Sequence, residues 1–114
     1  MRPELANSLN NLSNRLSDLG WREEALDAIQ DAVDIYRGLA ESLPEAFRPN
    51  LATSLGARGN ALKGLGRMDE ARASYAEGLE IVTPTADRYP DGPPGQIRDL
   101  LRNDLKLLDD DEAE

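Results

Sequence analysis

The chain lacks both cysteine and histidine. Without cysteine it has neither a disulfide framework nor a thiolate nucleophile. Without histidine it lacks the commonest general base and the commonest transition-metal ligand. We therefore expect no metal site, no cofactor and no enzymatic activity.

Aromatic residues and long apolar runs are also scarce. Aromatics make up 4% of the 114 residues, so the core must consist of Leu, Ala, Ile and Val, as is usual for packed helices. No segment approaches the roughly 18 consecutive apolar residues of a membrane-spanning helix. No basic stretch followed by an apolar run marks a secretory leader. We expect one domain, located in the cytoplasm.

Positive charge is in deficit. The chain has 13 basic and 22 acidic residues, which gives a formal net charge of −9. Such a chain repels nucleic acid and anionic membrane surfaces, and no basic cluster offsets this. Part of the excess lies in the terminal run DDDEAE, so we expect an acidic, disordered tail over 109–114.

What the chain does have is an internal repeat with a period of about 46 residues. Residues 2–44 align with residues 48–90. The matched pairs include Pro3/Pro49, Leu5/Leu51, Leu9/Leu55, Asn14/Asn60, Leu19/Leu65, Gly20/Gly66, Ala25/Ala71 and Ile35/Ile81. A fixed period of roughly 20–50 residues predicts stacked repeats, which usually function by offering a surface.

Apolar spacing predicts two helices in the first repeat. Leucines separated by alternating steps of four and three predict a helix over about 3–19. Gly20 is placed to end it in a left-handed conformation. A longer helix follows and ends near residue 42, because Pro44 restricts the residue before it.

The second repeat follows the same plan, with one difference. We expect its first helix over about 49–65 and its second from Met68. Pro84 predicts that this second helix stops or kinks near Val82. After the turn-rich segment RYPDGPPG, a last amphipathic helix over about 95–108 is predicted to cap the stack.

The segments around the two turns share a motif. LSDLGWREEALDAIQDAVDIY and LKGLGRMDEARASYAEGLEIV each carry Leu-Gly, an alanine five residues after the glycine, a large residue four later and a small one three after that. A small residue, Ser13 or Gly59, also lies seven before each glycine. This pattern resembles the tetratricopeptide repeat. The long period and SLNNLSNRL resemble its kinesin-light-chain-like subgroup, which is common in bacterial signalling proteins.

The resemblance implies an all-α fold of antiparallel helical hairpins. Two repeats, about 3–46 and 49–90, and the capping helix would form a right-handed solenoid domain over 1–108. Ala25 and Ala71 should lie buried where the paired helices cross. The family's repeats commonly bind peptides on a concave surface lined by the first helix of each hairpin.

Asparagines cluster on the face of the first helix that should line this surface. Asparagine is a poor helix former, so a merely solvated face would be built better from Glu, Lys or Gln. Each amide both donates and accepts hydrogen bonds, which suits the backbone of a bound peptide. The predicted partner-binding residues are Asn7, Asn10, Asn11, Asn14, Thr53, Asn60 and Lys63. Glycines on the second repeat's face either deepen the groove or allow close helix packing.

The sequence also predicts how two further side chains pack. Trp21 follows the turn glycine and is expected to pack over its own hairpin; an exposed ring would instead be a candidate anchor for a partner. Arg58 interrupts the second leucine stripe and is expected to snorkel past its neighbours; the alternative is contact with a partner. Asn14, Asn60 and Lys63 form only part of the set that clamps a peptide carboxylate in this family, so we expect no such clamp.

The leading functional prediction is a protein–protein interaction scaffold that binds a peptide or protein segment on its concave face. The alternative is a structural role, as a homo-oligomer or as the C-terminal end of a longer array attached to a signalling effector. Three or more repeats are normally needed for stability, and the first helix looks like an internal repeat without its upstream neighbour. An enzyme using Asp69 or Glu70 is not expected, because no convergent acid–base pair is visible.

Overall fold

The computed structural model describes residues 2–113, with side chains described as far as Asp110. The helices are α1 (Pro3–Asp18), α2 (Arg22–Ser42), α3 (Pro44–Gly64), α4 (Met68–Arg88) and α5 (Pro93–Ala113). No strand occurs between residues 2 and 113. The predicted all-α repeat fold is confirmed.

The two Leu-Gly turns have the same geometry. Gly20 and Gly66 adopt φ values of 83° and 78°, a left-handed conformation that glycine takes without steric cost. The Trp21 amide donates to the Leu16 carbonyl at 2.8 Å, and the Arg67 amide donates to the Leu62 carbonyl at 2.9 Å. These bonds satisfy the last carbonyls of α1 and α3 in Schellman motifs. Each turn therefore folds its two helices into an antiparallel hairpin, as predicted.

Small residues allow the helices of each hairpin to approach closely. Ala25 and Ala71 are fully buried, as expected. The Ser13 hydroxyl donates to the Ala25 carbonyl at 2.7 Å. In the second hairpin a Cβ atom on Gly59 would lie 2.5 Å from the Tyr75 ring. The motif's small positions are therefore required by packing.

The stack curves towards one side. Each helix packs against its neighbours in sequence, and α3 also contacts α1 and α5. Within residues 2–113, α2 and α4 have no Cα atoms within 8 Å of each other. Because the first helices of the hairpins approach more closely than the second ones, the α1–α3–α5 side is the concave side.

Among the residues whose side chains are described, the core consists of two apolar clusters. One joins α1, α2 and α3 through buried Ala6, Val33, Tyr36, Leu51 and Leu55. The other lies between α3, α4 and α5 and comprises Ala52, Leu62, Ala71, Tyr75, Val82, Leu101 and Leu108. The last two of these belong to α5, which therefore covers the open side of the second hairpin.

The third helix begins earlier than predicted, at Pro44 instead of about 49. Pro44 occupies the first helical position, where its missing N–H costs nothing. Pro49 is accommodated within the helix. Phe47 is half-buried, and its ring centroid lies 6.4 Å from that of Tyr36. This aromatic contact ties the added turn to the core.

The prediction that the fourth helix stops or kinks near Val82 was wrong as to its end. The α4 helix continues through Pro84 to Arg88 and has 21 residues, the same as α2. Pro84 removes the hydrogen bond to the Glu80 carbonyl. Both residues are exposed, so water can satisfy that carbonyl. A proline on the solvent face is thus tolerated inside the helix.

The last helix is longer than predicted. It begins at Pro93 instead of about 95 and ends at Ala113 instead of about 108. The backbone of 109–113 continues α5 and does not form a disordered tail. Glu114, the last residue of the predicted tail, lies outside the described residues.

Candidate functional site

A cavity of about 260 Å³ opens on the concave side, between α1, α3 and α5. The amides of Asn10 and Asn14 line it from α1. Small residues of α3, such as Ala57, form its floor, and Ile97 and Leu100 of α5 form the opposite wall. One wall is therefore polar and the other apolar.

A second cavity of about 240 Å³ adjoins the first. Both are lined by Asn10, Thr53 and Ile97, and the second also reaches Asn7. Together they form a continuous depression across the three helices, here called the groove.

Internal hydrogen bonds fix two of the groove amides. The Ser54 hydroxyl donates to Asn10 Oδ1 at 3.1 Å. The Tyr75 hydroxyl donates to Asn60 Oδ1 at 2.5 Å. Each bond uses one of the two lone pairs of the amide oxygen and fixes the amide plane. Within residues 2–113 the N–H groups of these two amides donate to no other residue. The groove thereby presents oriented donors, which match carbonyl oxygens.

Asn14 differs from its repeat counterpart Asn60. It is exposed, and its side chain has no hydrogen bond to any residue of the described chain. Ile29 stands in the first repeat where Tyr75 stands in the second, so no hydroxyl reaches Asn14. Both the donors and the acceptor of its amide are open to solvent or to a ligand.

The structure brings together five of the seven predicted site residues. Asn7, Asn10, Asn14, Thr53 and Asn60 line the groove. Asn11 is exposed but lines neither cavity, and Lys63 also lies outside both linings. The Thr53 hydroxyl donates to the Pro49 carbonyl at 3.0 Å, so part of its capacity is used within α3.

The α5 wall of the groove was not predicted from the sequence, because α5 was assigned only as a capping helix. A signal was present: Leu100 and Leu101 are adjacent, so they cannot share one face of a helix. Leu101 is buried at 2% exposure and Leu100 is 60% exposed. The stripe on α5 is thus wide enough to serve both the core and the groove.

Asp104 places a carboxylate at the edge of the α5 wall. Burial raises its pKa, and the nearby positive charge of Lys63 partly opposes that shift. Burial, together with the charge of Asp104, raises the pKa of Tyr75 to about 12. The Tyr75 hydroxyl therefore keeps its proton, and remains a donor to Asn60, beyond about pH 10, where an unperturbed tyrosine ionises.

The expectations for Trp21 and Arg58 need correction. Trp21 is 58% exposed and does not pack over its hairpin. Trp21 lies at the N-cap of α2, directly after the turn glycine. Arg58 is half-buried, and its Nε donates to Gln30 Oε1 at 2.7 Å. It is therefore bonded to α2 and does not simply extend past its neighbours.

Two models of the tetratricopeptide repeat match the sequence, one over residues 5–41 and the other over residues 52–81. Together they cover more than half of the chain and coincide with the two hairpins. The chain belongs to the tetratricopeptide-repeat family. No curated protein and no solved structure shows significant similarity to it. Tetratricopeptide repeats generally act as protein–protein interaction modules and are typically not enzymes.

Other site types find little support within residues 2–113. No group of three or more acidic side chains is arranged to hold a metal ion there. None of the helices in this range is long and apolar enough to cross a bilayer. Asp69 and Glu70 form surface ion pairs with Arg72 and Arg67, at 3.6 Å and 2.6 Å.

Proposed function

We propose that this tetratricopeptide-repeat protein binds an extended segment of a partner protein in the groove between α1, α3 and α5. The amide wall on α1 and α3 would pair with the backbone of the segment. The apolar wall on α5 would take its side chains.

The observation that carries the proposal is the orientation of the amides. The amide oxygens of Asn10 and Asn60 accept from Ser54 and Tyr75, and within residues 2–113 their N–H groups have no hydrogen-bond partner. Backbone carbonyls of an extended segment supply acceptors at regular intervals whatever its sequence. The amides therefore support affinity, while the α5 wall supports selectivity for apolar side chains.

The apolar wall supports the same conclusion. Leu100 is 60% exposed beside half-buried Ile97. Covering a large exposed apolar side chain in a concave site removes much apolar surface from water, which favours binding. The cavity volume of about 260 Å³ accommodates a large side chain of a bound segment.

The test uses a random peptide-display library selected on the wild-type chain, followed by calorimetric titration of the selected peptide. Ala57→Leu fills the groove floor and should weaken binding by at least about tenfold, since it replaces ligand volume with protein. Asn14→Ala should weaken it by several-fold through loss of a hydrogen bond.

Matched controls exist within the chain. Ala76 is exposed on α4, and Asn103 is exposed on α5 without lining the groove. Ala76→Leu and Asn103→Ala should leave the affinity unchanged. Equal losses in controls and groove variants, with unchanged melting temperatures, would refute binding in the groove.

A further inference from the structure

The groove is elongated along the helix axes. From one of its two cavities to the other, the lining residues advance together along all three helices, over 7–14 on α1, 49–60 on α3 and 93–104 on α5. The stretches on α3 and α5 each cover about 17 Å, at about 1.5 Å per residue. An extended segment rises about 3.3 Å per residue, so the groove holds about five of its residues.

The α5 wall changes from apolar to acidic along this direction. Ile97, Leu100 and Asp104 follow one another at helical steps of three and four, so they share one face of α5. All three line the first cavity. Among the described residues that line either cavity, Asp104 is the one charged group. The groove thus presents a single carboxylate about 6 Å along the helix axis beyond Leu100.

The charge of Asp104 is only partly compensated within the described chain. The residue is half-buried, and it has neither a hydrogen bond nor an ion pair to any part of the chain that the structure describes. Burial raises its pKa, and the charge of Lys63, which lies outside both cavity linings, opposes that shift only in part. A carboxylate in such surroundings is stabilised by a cationic hydrogen-bond donor placed beside it.

The net charge of the chain, −9, also favours a cationic segment over an acidic one. In an extended segment, side chains two residues apart lie on the same side and about 6.6 Å apart. This matches the roughly 6 Å between Leu100 and Asp104 along α5. Resting on the proposed binding function, we propose that the bound segment carries a large apolar residue against Leu100 and, two positions away, a lysine or arginine whose charged group contacts Asp104.

The first test is the pattern of peptides selected from the random display library on the wild type and, in parallel, on Asp104→Asn and Asp110→Asn. Asp110 is exposed on the same helix and lines neither cavity, so its replacement removes the same charge outside the groove. The wild type and Asp110→Asn should select a basic residue two positions from a large apolar one. Asp104→Asn should lose that preference. Selection of acidic or uncharged residues at that position by the wild type would contradict the proposal.

The second test is a double-mutant cycle between the protein and the selected peptide, measured by calorimetric titration. Asp104→Asn should weaken binding of the selected peptide by about three- to tenfold. It should not affect a peptide in which glutamine replaces the basic residue. Moving the basic residue by one position, at constant composition, turns its side chain to the other side of the extended chain. That peptide should bind like the glutamine peptide, which separates a specific contact from general attraction to an acidic protein.

Failure of this proposal and failure of the proposed function give different results. If Ala57→Leu weakens binding but Asp104→Asn shows no coupling to the basic residue, the segment binds in the groove and the contact with Asp104 is refuted. If Ala57→Leu leaves the affinity unchanged, binding lies elsewhere and both proposals are refuted. Circular dichroism checks that the variants remain folded, and the two altered peptides test the contact on the unmodified protein.

Discussion

Asn14 and Asn60 occupy equivalent places in the two repeats, yet replacement by alanine should change stability in opposite directions. Asn14 makes no hydrogen bond within the described chain. Its replacement gains helix propensity, roughly 0.5 kcal/mol. For a domain of this size the melting temperature should rise by about 2–4 °C.

Asn60→Ala gains the same propensity but loses the acceptor of the Tyr75 hydroxyl. Tyr75 is only 1% exposed, so water has little access to replace the bond. An unpaired buried hydroxyl costs about 1–3 kcal/mol, which exceeds the gain. The net loss of about 0.5–2.5 kcal/mol should lower the melting temperature by several degrees.

The assay is thermal and urea denaturation followed by far-ultraviolet circular dichroism, with Tyr75→Phe as the second arm of a double-mutant cycle. In the Tyr75→Phe background no hydroxyl remains to be satisfied, so Asn60→Ala should become stabilising. If both alanine variants shift stability in the same direction, or if Asn60→Ala remains costly in the Tyr75→Phe background, the hydrogen-bond argument is refuted.

Further expectations concern stability, ionisation and exposure. Replacing Asn7, Asn11 and Asn14 together by alanine should raise stability by roughly 1.5 kcal/mol while weakening partner binding; a loss of stability in thermal denaturation would contradict this. Gly59→Ala should destabilise by about 1–3 kcal/mol in urea titrations, because its Cβ would lie 2.5 Å from the Tyr75 ring; an unchanged midpoint would show that the hairpin can relax. Burial raises the pKa of Tyr75 from 10.0 to about 12, so its contribution to the free energy of unfolding is complete below pH 10 and is lost as pH rises towards 12. The pH dependence of unfolding should therefore differ between wild type and Tyr75→Phe only in that interval. Trp21, 58% exposed, should be quenched readily by acrylamide, and weak quenching would mean that the ring is covered.

The hairpins could be predicted from the sequence because their determinants are local. A glycine that must adopt positive φ, a leucine before it and small residues at fixed distances define each turn and each helix crossing. Gly20, Gly66, Ala25 and Ala71 were placed correctly for this reason. The helix starting at Met68 followed from the same turn.

The misplaced helix ends depend on tertiary surroundings. Pro84 breaks a helix only where the freed carbonyl cannot reach water, and the sequence does not state which side of α4 faces solvent. The α3 helix begins as early as Pro44 because the ring of Phe47 packs against Tyr36 on the neighbouring helix. Such partners are distant enough along the chain that local rules do not include them.

The groove was predicted only in part for the same reason. Its asparagine wall could be found from a repeated pattern on one helix face. The α5 wall could not be predicted without knowing that α5 packs against α3 and that Leu100 lines the same cavity as Asn10 and Asn14. The different roles of Asn14 and Asn60 depend on Ile29 and Tyr75, residues on the other helix of each hairpin.

The most direct measurement of the central claim is a nuclear magnetic resonance map of amide shifts on addition of the display-selected peptide. Binding in the groove predicts that the perturbed amides, including the side-chain amides of Asn10, Asn14 and Asn60, lie on the concave faces of α1, α3 and α5. Perturbations confined to the outer surfaces of α2 and α4, with those three side-chain signals unmoved, would contradict the account.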